Sequence, residues 1–509
     1  MARPRPNCGF IPIALVAESE MPIYRQIFGR IREAILSGQL AAGTRLPSSR
    51  TLSGALRVSR NSVVAAYEQL ASDGYIQSRV GDGSRVSDIP THLLRDMAAG
   101  TPAPALAPAP SQSRTRLSQR AAQIVSAPIE RKWLQRHRNQ PLAFRVGLPA
   151  VDLFPFDIWS RINARIARTE SRSLAIQFDT AGLPRLRQAI AAYLALSRGV
   201  VCNADQVLVV SGAQAGLDLT LRLLLDVGDT ALIEDPCYLG IRGALTGVGA
   251  NICAVPVDDQ GFDIARAEAL APDARVALVA PSHQFPMAVT MSLERRVMLL
   301  EWARRRNAWI VEDDYDSEFR YVGRPLSPLQ SLDRDGRVIY VGTFSKVLYP
   351  SLRLGYVVVP ERLLDAFWAL QRFSNATPPI FDQAAVASFI EDGHFARHIR
   401  RMRQAHLERG SALVAAARKV FSGAVAVRPP QAGLHTLLDL PAGARDETVA
   451  DIAATKGIDV RPLSMYAIDA NPGPSLALGF ACLPERKMEP ALRVLKSAID
   501  EAAPRKAAS

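Results

Sequence analysis

The lysine at position 346 is the residue of this chain best placed for covalent chemistry. Only seven of the 61 basic residues are lysines. Lys346 follows the apolar run 338–342 and lies in a turn of small and apolar residues. Burial in such a turn lowers the pKa of an ammonium group, so that the neutral amine can attack an aldehyde, which arginine cannot do. A lysine on a solvated loop is the alternative, and it fits the other six lysines better.

A carboxylate and a phenol lie at the end of, and just after, a second run that is expected to form a strand, residues 309–313. Asp313 and Tyr315 are two positions apart, so an extended backbone points both side chains to one face. Together they suit the ring of pyridoxal 5'-phosphate, because the carboxylate keeps the pyridine nitrogen protonated while the phenol donates to the ring oxygen. A divalent metal site or a solvated acidic loop is the alternative for this motif taken alone.

A third pattern predicts a phosphate site. The run 207–211 leads into Gly212, Ala213 and Gln214, and a helix is expected to begin near Gln214. Such a turn presents backbone N–H groups and the positive end of a helix to an anion. Arg353, seven residues after Lys346, adds a permanent cation with a fork of donors. An ordinary strand-to-helix connection is the alternative for the glycine turn.

The elements that would position these groups belong to one long stretch, residues 141–504. Short apolar runs alternate there with helical periods, which predicts an α/β domain. The runs expected to form strands are 206–211, 230–234, 276–280, 309–313 and 338–342.

Composition limits the class of protein. A chain of 509 residues exceeds one ordinary core, so at least two domains are expected. No run approaches the roughly 20 apolar residues of a membrane span, and residues 1–20 lack a secretory signal, so we expect a cytoplasmic protein without membrane contact. The five cysteines are scattered without CxxC spacing, which predicts neither disulfides nor a metal site.

Residues 20–88 predict a small DNA-binding domain. Isoleucines recur every fourth residue from Ile23 to Ile35 and indicate an apolar helix face. Serines can cap a second helix that ends near residue 56, and Ser59 or Asn61 can cap a third that ends near residue 72. This order is a helix-turn-helix whose third helix would enter the major groove by its first residues. Residues 73–86 predict a hairpin wing with a Gly-Asp-Gly tip.

A linker is expected between the two domains, over residues 89–140. Its part 101–113 holds four prolines and four alanines, which favours an extended chain without a core. Its part 114–140 is basic and is expected to be partly helical. Residues 20–88 carry a net +3 and residues 89–140 a net +6, so nine of the twelve excess charges lie in the head and the linker, which indicates an anionic partner such as nucleic acid.

The N-terminal motifs resemble a winged helix-turn-helix of the GntR family. The resemblance rests on 22–27, Gly43-Thr-Arg-Leu-Pro47-Ser-Ser-Arg50, Ser59-Arg60-Asn61 and 67–75 in order. It implies that the DNA-facing positions are Arg50, Ser59, Arg60, Asn61, Ser62, Arg79 and Gly81. For Arg50 or Arg60 alone, a solvated helix face is the alternative.

The long domain resembles a fold-type I aminotransferase, and its fusion to a GntR-like head is similar to the MocR/GabR group of transcriptional regulators. Especially similar are Pro281-Ser-His283-Gln284-Phe-Pro286, 312–321 and Gly342-Thr-Phe-Ser-Lys346. The resemblance implies that Lys346 binds pyridoxal 5'-phosphate covalently, Asp313 its ring nitrogen and Tyr315 its ring hydroxyl. It also implies that Tyr238 stacks on the ring, that His283 or Gln284 contacts the ring oxygen, and that the phosphate is surrounded by Gly212, Ala213, Gln214, Thr343, Ser345 and Arg353. For His283, a packing role is the alternative.

Two departures from the group's pattern concern the effector. Pro286 is followed by Met287 and Ala288 where the group has Thr-Gly or Ser-Gly. The stretch 476–480 has no arginine where related aminotransferases clamp a substrate carboxylate. Arg242 and Arg461 are candidate substitutes, and surface arginines are the alternative for both.

The expected function is that of a homodimeric, DNA-binding transcriptional regulator. Its aminotransferase-like domain would sense pyridoxal 5'-phosphate, alone or with an amine or amino-acid effector, and so alter binding to operator DNA. A working aminotransferase that carries a DNA-binding head is the main rival, since every catalytic group is present. An architectural DNA-binding protein that no longer uses the cofactor is the third hypothesis.

Overall fold

The structure is a computed structural model of the 509-residue chain. It describes residues 13–16, 21–79, 83–88, 117–126, 143–177, 179–323, 326–374, 377–422 and 425–503. The chain divides after Thr115 into two compact units.

The N-terminal unit is built from three helices and a hairpin. Its elements are α1 (Ile23–Leu36), α2 (Ser49–Leu56), α3 (Arg60–Ser72), β1 (Ile76–Arg79) and β2 (Gly83–Val86). Ile27, Ile31 and Ile35 of α1 are buried in one cluster with Val63 and Leu70 of α3. Ile23 is 45% exposed at the first turn of α1, so the predicted four-residue apolar face has three buried members.

Serine side chains begin the second and third helices of this unit. Ser48 Oγ accepts from the Thr51 amide, and Ser59 Oγ accepts from the Ser62 amide, both at 3.1 Å. Ser59, rather than Asn61, is therefore the cap of α3. Three residues, 57–59, separate α2 from α3.

The hairpin is antiparallel, with Ile76 opposite Val86 and Arg79 opposite Gly83. The Leu46 amide donates to the Ser84 carbonyl at 2.8 Å, which joins the hairpin to the segment before α2. The predicted wing tip, including Gly81, lies outside the described residues, as does most of the predicted linker.

The described part of that linker forms one helix, α4 (Gln119–Ser126), within the C-terminal unit. Arg120 Nη1 donates to the Gly247 carbonyl at 3.4 Å. Arg120 Cδ lies 3.4 Å from the position that a Cβ on Gly249 would occupy. These contacts hold α4 against the rest of the unit.

An eight-stranded mixed sheet forms the centre of the C-terminal unit. Its strand order is β3-β10-β9-β8-β7-β4-β5-β6. β10 and β6 run in the direction opposite to the other six strands of this sheet. The strands are β3 (Val207–Val210), β4 (Thr230–Asp235), β5 (Asn251–Asp258), β6 (Gly261–Phe262), β7 (Val276–Val279), β8 (Trp309–Asp314), β9 (Val338–Thr343) and β10 (Gly355–Val358).

The central strands are continuous apolar runs because helices cover both faces of the sheet. Buried side chains separate into clusters on its two sides, with Val207 and Val209 in one cluster and Leu208 and Val210 in another. The helices up to this sheet's last strand are α5 (Phe156–Thr169), α6 (Ser171–Ala175), α7 (Pro184–Arg198), α8 (Ala213–Leu224), α9 (Leu239–Val248), α10 (Ile264–Leu270), α11 (Leu293–Arg306) and α12 (Leu329–Leu332).

A smaller antiparallel sheet follows, in the order β11-β12-β14-β13. Its strands are β11 (Ala426–Val427), β12 (His435–Asp439), β13 (Arg461–Pro462) and β14 (Ser475–Gly479). The remaining helices are α13 (Leu364–Ser374), α14 (Ile380–Glu391), the 28-residue α15 (His394–Phe421), α16 (Asp446–Thr455) and α17 (Met488–Ala502). Within the described ranges, none of the helices has the length and apolar character that crossing a membrane requires.

Candidate functional site

The predicted cofactor residues meet at one edge of the large sheet. Strands β4, β7, β8 and β9 are parallel to one another, so their carboxyl ends share an edge. β3 and β9 both pair antiparallel with β10, which brings the end of β3 to that edge as well. Ligands of open α/β sheets bind outside the carboxyl ends of the strands.

Lys346 lies three residues beyond β9. Its Nζ donates to the Gly147 carbonyl at 3.0 Å. Burial lowers the pKa of Lys346, against the raising effect of Asp316 and Asp313. Gly147 has a left-handed φ of +75°, a backbone conformation that favours glycine.

Asp313 is buried near the end of β8. Its Oδ1 has no hydrogen-bond partner among the described residues. Burial, together with the charges of Asp314 and Asp316, raises the pKa of Asp313 to about 7. A buried carboxylate oxygen without a donor is costly, so this atom is a candidate acceptor for a ligand that carries a donor.

Asp314 points away from Asp313, as the alternation of a strand requires. It forms a buried ion pair with Arg198, with Oδ2 2.9 Å from Nη2, and it accepts from the Tyr340 hydroxyl. Asp314 therefore stabilises the end of β8 through these two contacts.

Tyr315 follows β8 and contacts a histidine that is itself bonded to an aspartate. Its hydroxyl oxygen lies 3.1 Å from His283 Nδ1, and that nitrogen lies 3.0 Å from Asp316 Oδ2. Burial, then the charge of Asp316, raises the pKa of Tyr315 well above its ordinary value, which keeps the phenol protonated. Because a carboxylate accepts, Asp316 places the proton on Nδ1 and leaves the Tyr315 hydroxyl proton for another acceptor.

His435 completes this buried group. Its ring centre lies 5.1 Å from that of His283, and its Nε2 donates to the Pro286 carbonyl at 3.2 Å. Burial lowers the pKa of His435 to about 3. Ligand atoms of His283, Asp316 and His435 lie within 4.8 Å of one another, a spacing that a metal ion could also span.

The predicted phosphate residues come together around the start of β10. Gly355 pairs with Thr343 on one side and with Val210 on the other. A Cβ on Gly355 would lie 2.9 Å from the Ala213 nitrogen, so glycine lets the start of α8 approach β10. Arg353 is exposed and has a left-handed φ of 47° just before this pairing.

Two turns flank the start of β10, one before α8 and one after β9. Gly212, with a φ of 88°, precedes the first turn of α8, where helix amides are unpaired. Thr343 is buried and its Oγ1 accepts from the Ser345 amide at 3.1 Å. Gln214 Nε2 donates to the Gly240 carbonyl at 2.9 Å, which ties α8 to α9.

Tyr238 and Gln284 differ in their availability to a ligand. Tyr238 begins α9, is 41% exposed, and packs edge-on against Phe285 with ring centres 6.2 Å apart. Gln284 is buried, and its Nε2 donates to the Pro236 carbonyl at 2.8 Å and to Glu234 Oε2 at 3.2 Å. The Gln284 amide therefore supports the ends of β4 and β7, and its ring contact stays a prediction.

Two contacts of the site were not predicted from the sequence. The Gly147 carbonyl accepts from Lys346 Nζ, and Asp316 Oδ2 lies 3.0 Å from His283 Nδ1. Asp316 stood inside the acidic motif, but its partner could be identified only from the fold. Of the candidate substitute arginines, Arg242 donates to the Ala467 carbonyl at 3.4 Å and Arg461 pairs with Asp459 at 3.2 Å.

Five of the seven predicted DNA residues have a described exposure in the N-terminal unit. Arg50, Ser59, Arg60 and Asn61 are exposed, and Ser62 is half-buried. Arg60 Nε donates to Ser49 Oγ at 3.3 Å, which holds the arginine between α2 and α3. Arg79 is the last residue of β1.

Comparison with known proteins gives matches over both units. Residues 152–495 match the family described as aminotransferase class I and II, and residues 23–86 match bacterial regulatory proteins of the gntR family. The probable rhizopine catabolism regulatory protein MocR of Rhizobium meliloti is 37% identical, over 96% of this chain and 95% of its own.

A second regulator and a solved structure are also similar to the chain. The HTH-type pyridoxine biosynthesis transcriptional regulator PdxR of Corynebacterium glutamicum is 31% identical, over 96% of this chain and 98% of its own. A crystal structure of kynurenine aminotransferase from Pyrococcus horikoshii is 26% identical with a TM-score of 0.69, and the match covers 77% of this chain and 98% of that one.

Proposed function

The chain belongs to the MocR-type regulators, in which a gntR-family head precedes an aminotransferase class I and II domain, and we propose that it controls transcription in response to pyridoxal 5'-phosphate and an amine effector. A regulator that reads DNA acts where the DNA is, so the cytoplasm is its proposed location. The cofactor proposal rests mainly on Asp313 Oδ1. This atom is a buried acceptor without a donor among the described residues, at the sheet edge where Lys346 lies.

The residues at this edge fit the cofactor. Asp313 would accept from its ring nitrogen, and Tyr315 would donate to its ring oxygen. Its phosphate would lie at the start of α8, near Thr343, Ser345 and Arg353, where helix amides and a guanidinium favour an anion. When bound, pyridoxal 5'-phosphate supplies an aldehyde carbon for which the Lys346 amine and an effector amine compete.

Residues around Lys346 and Tyr315 set the protonation and the orientation of the groups that take part in this competition. Burial raises the neutral fraction of the Lys346 amine by lowering its pKa, and the Gly147 carbonyl orients that amine. Asp316 holds the Nδ1 proton of His283 and so directs the Tyr315 proton toward the ligand. The lysine is thus held ready as a nucleophile that an effector can replace.

The head supplies DNA recognition. α3 presents Arg60 and Asn61 at its exposed N-terminus, as a recognition helix must in the major groove. Arg50 on α2 is placed to bind phosphate, which contributes affinity without reading sequence.

Helix α9 offers a route from the cofactor site to the linker. It begins after Tyr238, and its first turn is tied to Gln214 at the phosphate end of α8. At its far end the Gly247 carbonyl accepts from Arg120 of α4. A ligand that moves the Tyr238 end of α9 would therefore change the anchorage of the linker helix.

A second copy of the chain is expected to complete the regulator. Phe156 of α5 and Phe381 of α14 are 51% and 40% exposed, and both project from helices around one apolar cluster. A homodimer would cover such side chains and would pair two heads for two operator half-sites. Sedimentation of the purified protein at micromolar concentration tests this: a dimer of about twice 55.3 kDa is expected.

Transamination is the second candidate function. Lys346 with a lowered pKa, and the Asp313 and Tyr315 pair, are the groups that an aminotransferase uses. Turnover of an amino donor with a keto acid at rates above about 1 per second would favour it. Spectral change with amines but without such turnover would support the sensor.

The experiment that tests the proposed function combines a spectrum with DNA binding. Protein loaded with pyridoxal 5'-phosphate should show visible absorbance that shifts with an effector amine, and the affinity for DNA beside its own gene should change in parallel. Absence of the absorbance, or a DNA affinity that ignores the cofactor, would reject the proposal.

A further inference from the structure

We propose that His283, Asp316 and His435 form a binding site for a zinc ion. The site goes beyond the proposed function, because its ligands are side chains of the chain itself and need no cofactor. Two imidazoles and a carboxylate are a set that zinc takes in proteins, where three protein ligands leave a fourth position open. Among the residues that the structure describes, no other group of three such side chains has its ligand atoms this close together.

The three side chains are buried next to one another. One ligand atom from each lies within 4.8 Å of the other two. Two ligands bonded to one zinc ion at about 2.1 Å lie roughly 3.4 Å from each other in a tetrahedral site. His283 Nδ1 lies 3.2 and 3.0 Å from the two carboxylate oxygens of Asp316, so a small widening of this pair admits the ion.

His435 has the hydrogen-bonding pattern of a metal ligand. Its Nε2 donates to the Pro286 carbonyl at 3.2 Å, so its Nδ1 carries a lone pair. Histidines that bind metals nearly always donate their other ring N–H to a carbonyl or a carboxylate, which fixes the orientation of the ring. The Pro286 carbonyl therefore orients His435 as it would orient a ligand.

Hydrogen bonds alone leave His283 short of protons. Three oxygens lie within 3.2 Å of its Nδ1, namely the two of Asp316 and the hydroxyl of Tyr315. One proton on Nδ1 makes one well-directed hydrogen bond, whereas a cation in the same space attracts every oxygen around it. The Tyr315 hydroxyl is the nearest candidate for the fourth ligand.

The fold brings these residues together from both sheets. His283 follows β7 and Asp316 follows β8, and these two strands are parallel neighbours. His435 is the first residue of β12 in the small sheet. A Cβ on Gly433 would lie 2.6 Å from Asp316 Oδ2, so glycine lets the small sheet approach the large one here. A zinc ion at this place would tie the two sheets to each other.

Two other buried histidines show what a supporting role looks like. His398 Nε2 donates to the Val347 carbonyl at 2.9 Å, and His406 Nε2 accepts from the Ala150 amide at 3.3 Å. Within the described part of the chain, neither histidine belongs to a group of three potential ligands. Burial of a histidine in this fold therefore does not by itself produce the arrangement around His283.

The test is zinc binding to the full-length chain without an affinity tag and freed of cofactor, since a phosphate-bearing cofactor can bind zinc itself. Isothermal calorimetry should give one zinc ion per chain for wild type. His435→Gln and Asp316→Asn should each weaken this binding at least about a hundredfold, because even a partner that only orients a ligand is worth roughly 10- to 100-fold. Zinc should also raise the thermal unfolding midpoint of wild type and leave that of His435→Gln unchanged.

His394→Gln is the matched control, because His394 begins α15 and its Nδ1 lies 2.9 Å from Arg397 Nη2. It should bind zinc as wild type does. His435→Cys supplies a check on the ligand itself, since a thiolate also binds zinc. Loaded with Co²⁺ in place of zinc, His435→Cys should show a sulfur-to-cobalt absorbance in the near ultraviolet that wild type lacks. A residue with a purely structural role would not produce this signal.

The outcomes are distinct from those of the proposed function, which is tested by cofactor absorbance and DNA binding. Equal zinc binding by wild type and His435→Gln, or no zinc binding by wild type, overturns the inference. An equal loss in His394→Gln overturns it as well, because the ion would then bind elsewhere. If circular dichroism shows that His435→Gln is unfolded, Asp316→Asn and the cobalt spectrum of His435→Cys decide.

Discussion

The DNA-binding face and the cofactor site are built in opposite ways. In the head, the proposed contact residues are exposed. The hydrogen bonds that position them join residues close in sequence, such as that from the Ser62 amide to Ser59 Oγ. In the C-terminal unit, the groups are buried, and Lys346 bonds to a carbonyl 199 residues away. The DNA-binding face is therefore formed by residues close in sequence, whereas the cofactor site forms only when the whole domain is folded.

This difference decides how each region should respond to change. Exposed arginines of the head contribute through charge, so their loss should weaken DNA binding and leave stability nearly unchanged. Buried carboxyls of the cofactor site have raised pKa values, so pH should act on the stability of that unit.

The largest expected effect is that of Lys346→Ala on the cofactor. Removal of the amine should abolish covalent attachment altogether, because the four other lysines that the structure describes, Lys419, Lys456, Lys487 and Lys496, lie in or beside helices rather than after a strand. Borohydride reduction followed by denaturation should leave pyridoxyl absorbance on wild type and none on the variant.

Lys419→Ala is the control for this substitution, since Lys419 forms an ion pair with Glu489 on the surface. It should retain the cofactor as wild type does. Reducible, chain-bound cofactor in Lys346→Ala would mean that another residue carries it.

The pH dependence of stability comes next. Burial raises the pKa of Glu234 to about 8, from an ordinary 4.5. The folded state thus holds this proton up to a higher pH than the unfolded chain, so stability is full below pH 4.5 and falls as the pH rises toward 8. Urea unfolding of the cofactor-free protein should show a loss on the order of 5 kcal/mol in the free energy of unfolding from this group over that range.

Glu234→Gln should flatten this pH dependence, because an amide does not titrate. Glu447→Gln, at an exposed carboxyl in the first turn of α16, should leave the pH dependence as in wild type. An equal slope for Glu234→Gln and wild type would show that Glu234 is ionised in the folded protein.

A smaller effect is expected at the head. Arg60→Ala should weaken binding to operator DNA about tenfold and reduce the salt dependence by about one released ion. Fluorescence anisotropy at several salt concentrations measures both quantities.

Arg30 provides the comparison within the same unit, since it is paired with Glu33 on α1. Arg30→Ala should bind DNA as wild type does. Equal losses for the two variants would indicate a general effect of charge rather than a recognition helix at α3.

The smallest effect is expected at the anchor of the linker helix. Arg120→Ala removes the contact with Gly247 and should reduce the cofactor-dependent change in DNA affinity about threefold. Arg222→Ala, at an exposed arginine of α8, should not alter that change. An unaltered response in Arg120→Ala would exclude α9 as the route to the linker.

Sequence patterns were sufficient for the elements that local residues determine. The run expected to form a strand at 309–313 is β8, which ends one residue later, at Asp314. The first helix of the head, Ile23–Leu36, contains the whole isoleucine pattern from Ile23 to Ile35 that predicted it. Apolar runs and serine caps are local properties, so they need no knowledge of the fold.

Long-range contacts explain what was not predicted. β10 reverses direction between β3 and β9, and nothing in its four residues indicates that pairing. Gly147 follows the linker in sequence, and its carbonyl meets Lys346, 199 residues away, only in the folded domain. The partnership of His283 with Asp316 likewise depends on the alignment of β7 with β8.

The central claim is that occupancy of the buried site controls the exposed one. The most direct measurement is the affinity of the purified chain for a duplex containing the region beside its own gene, with and without pyridoxal 5'-phosphate, for wild type and Lys346→Ala. The account predicts that the cofactor changes the affinity of wild type severalfold and leaves that of Lys346→Ala unchanged. Equal affinities for wild type in the two conditions would contradict it.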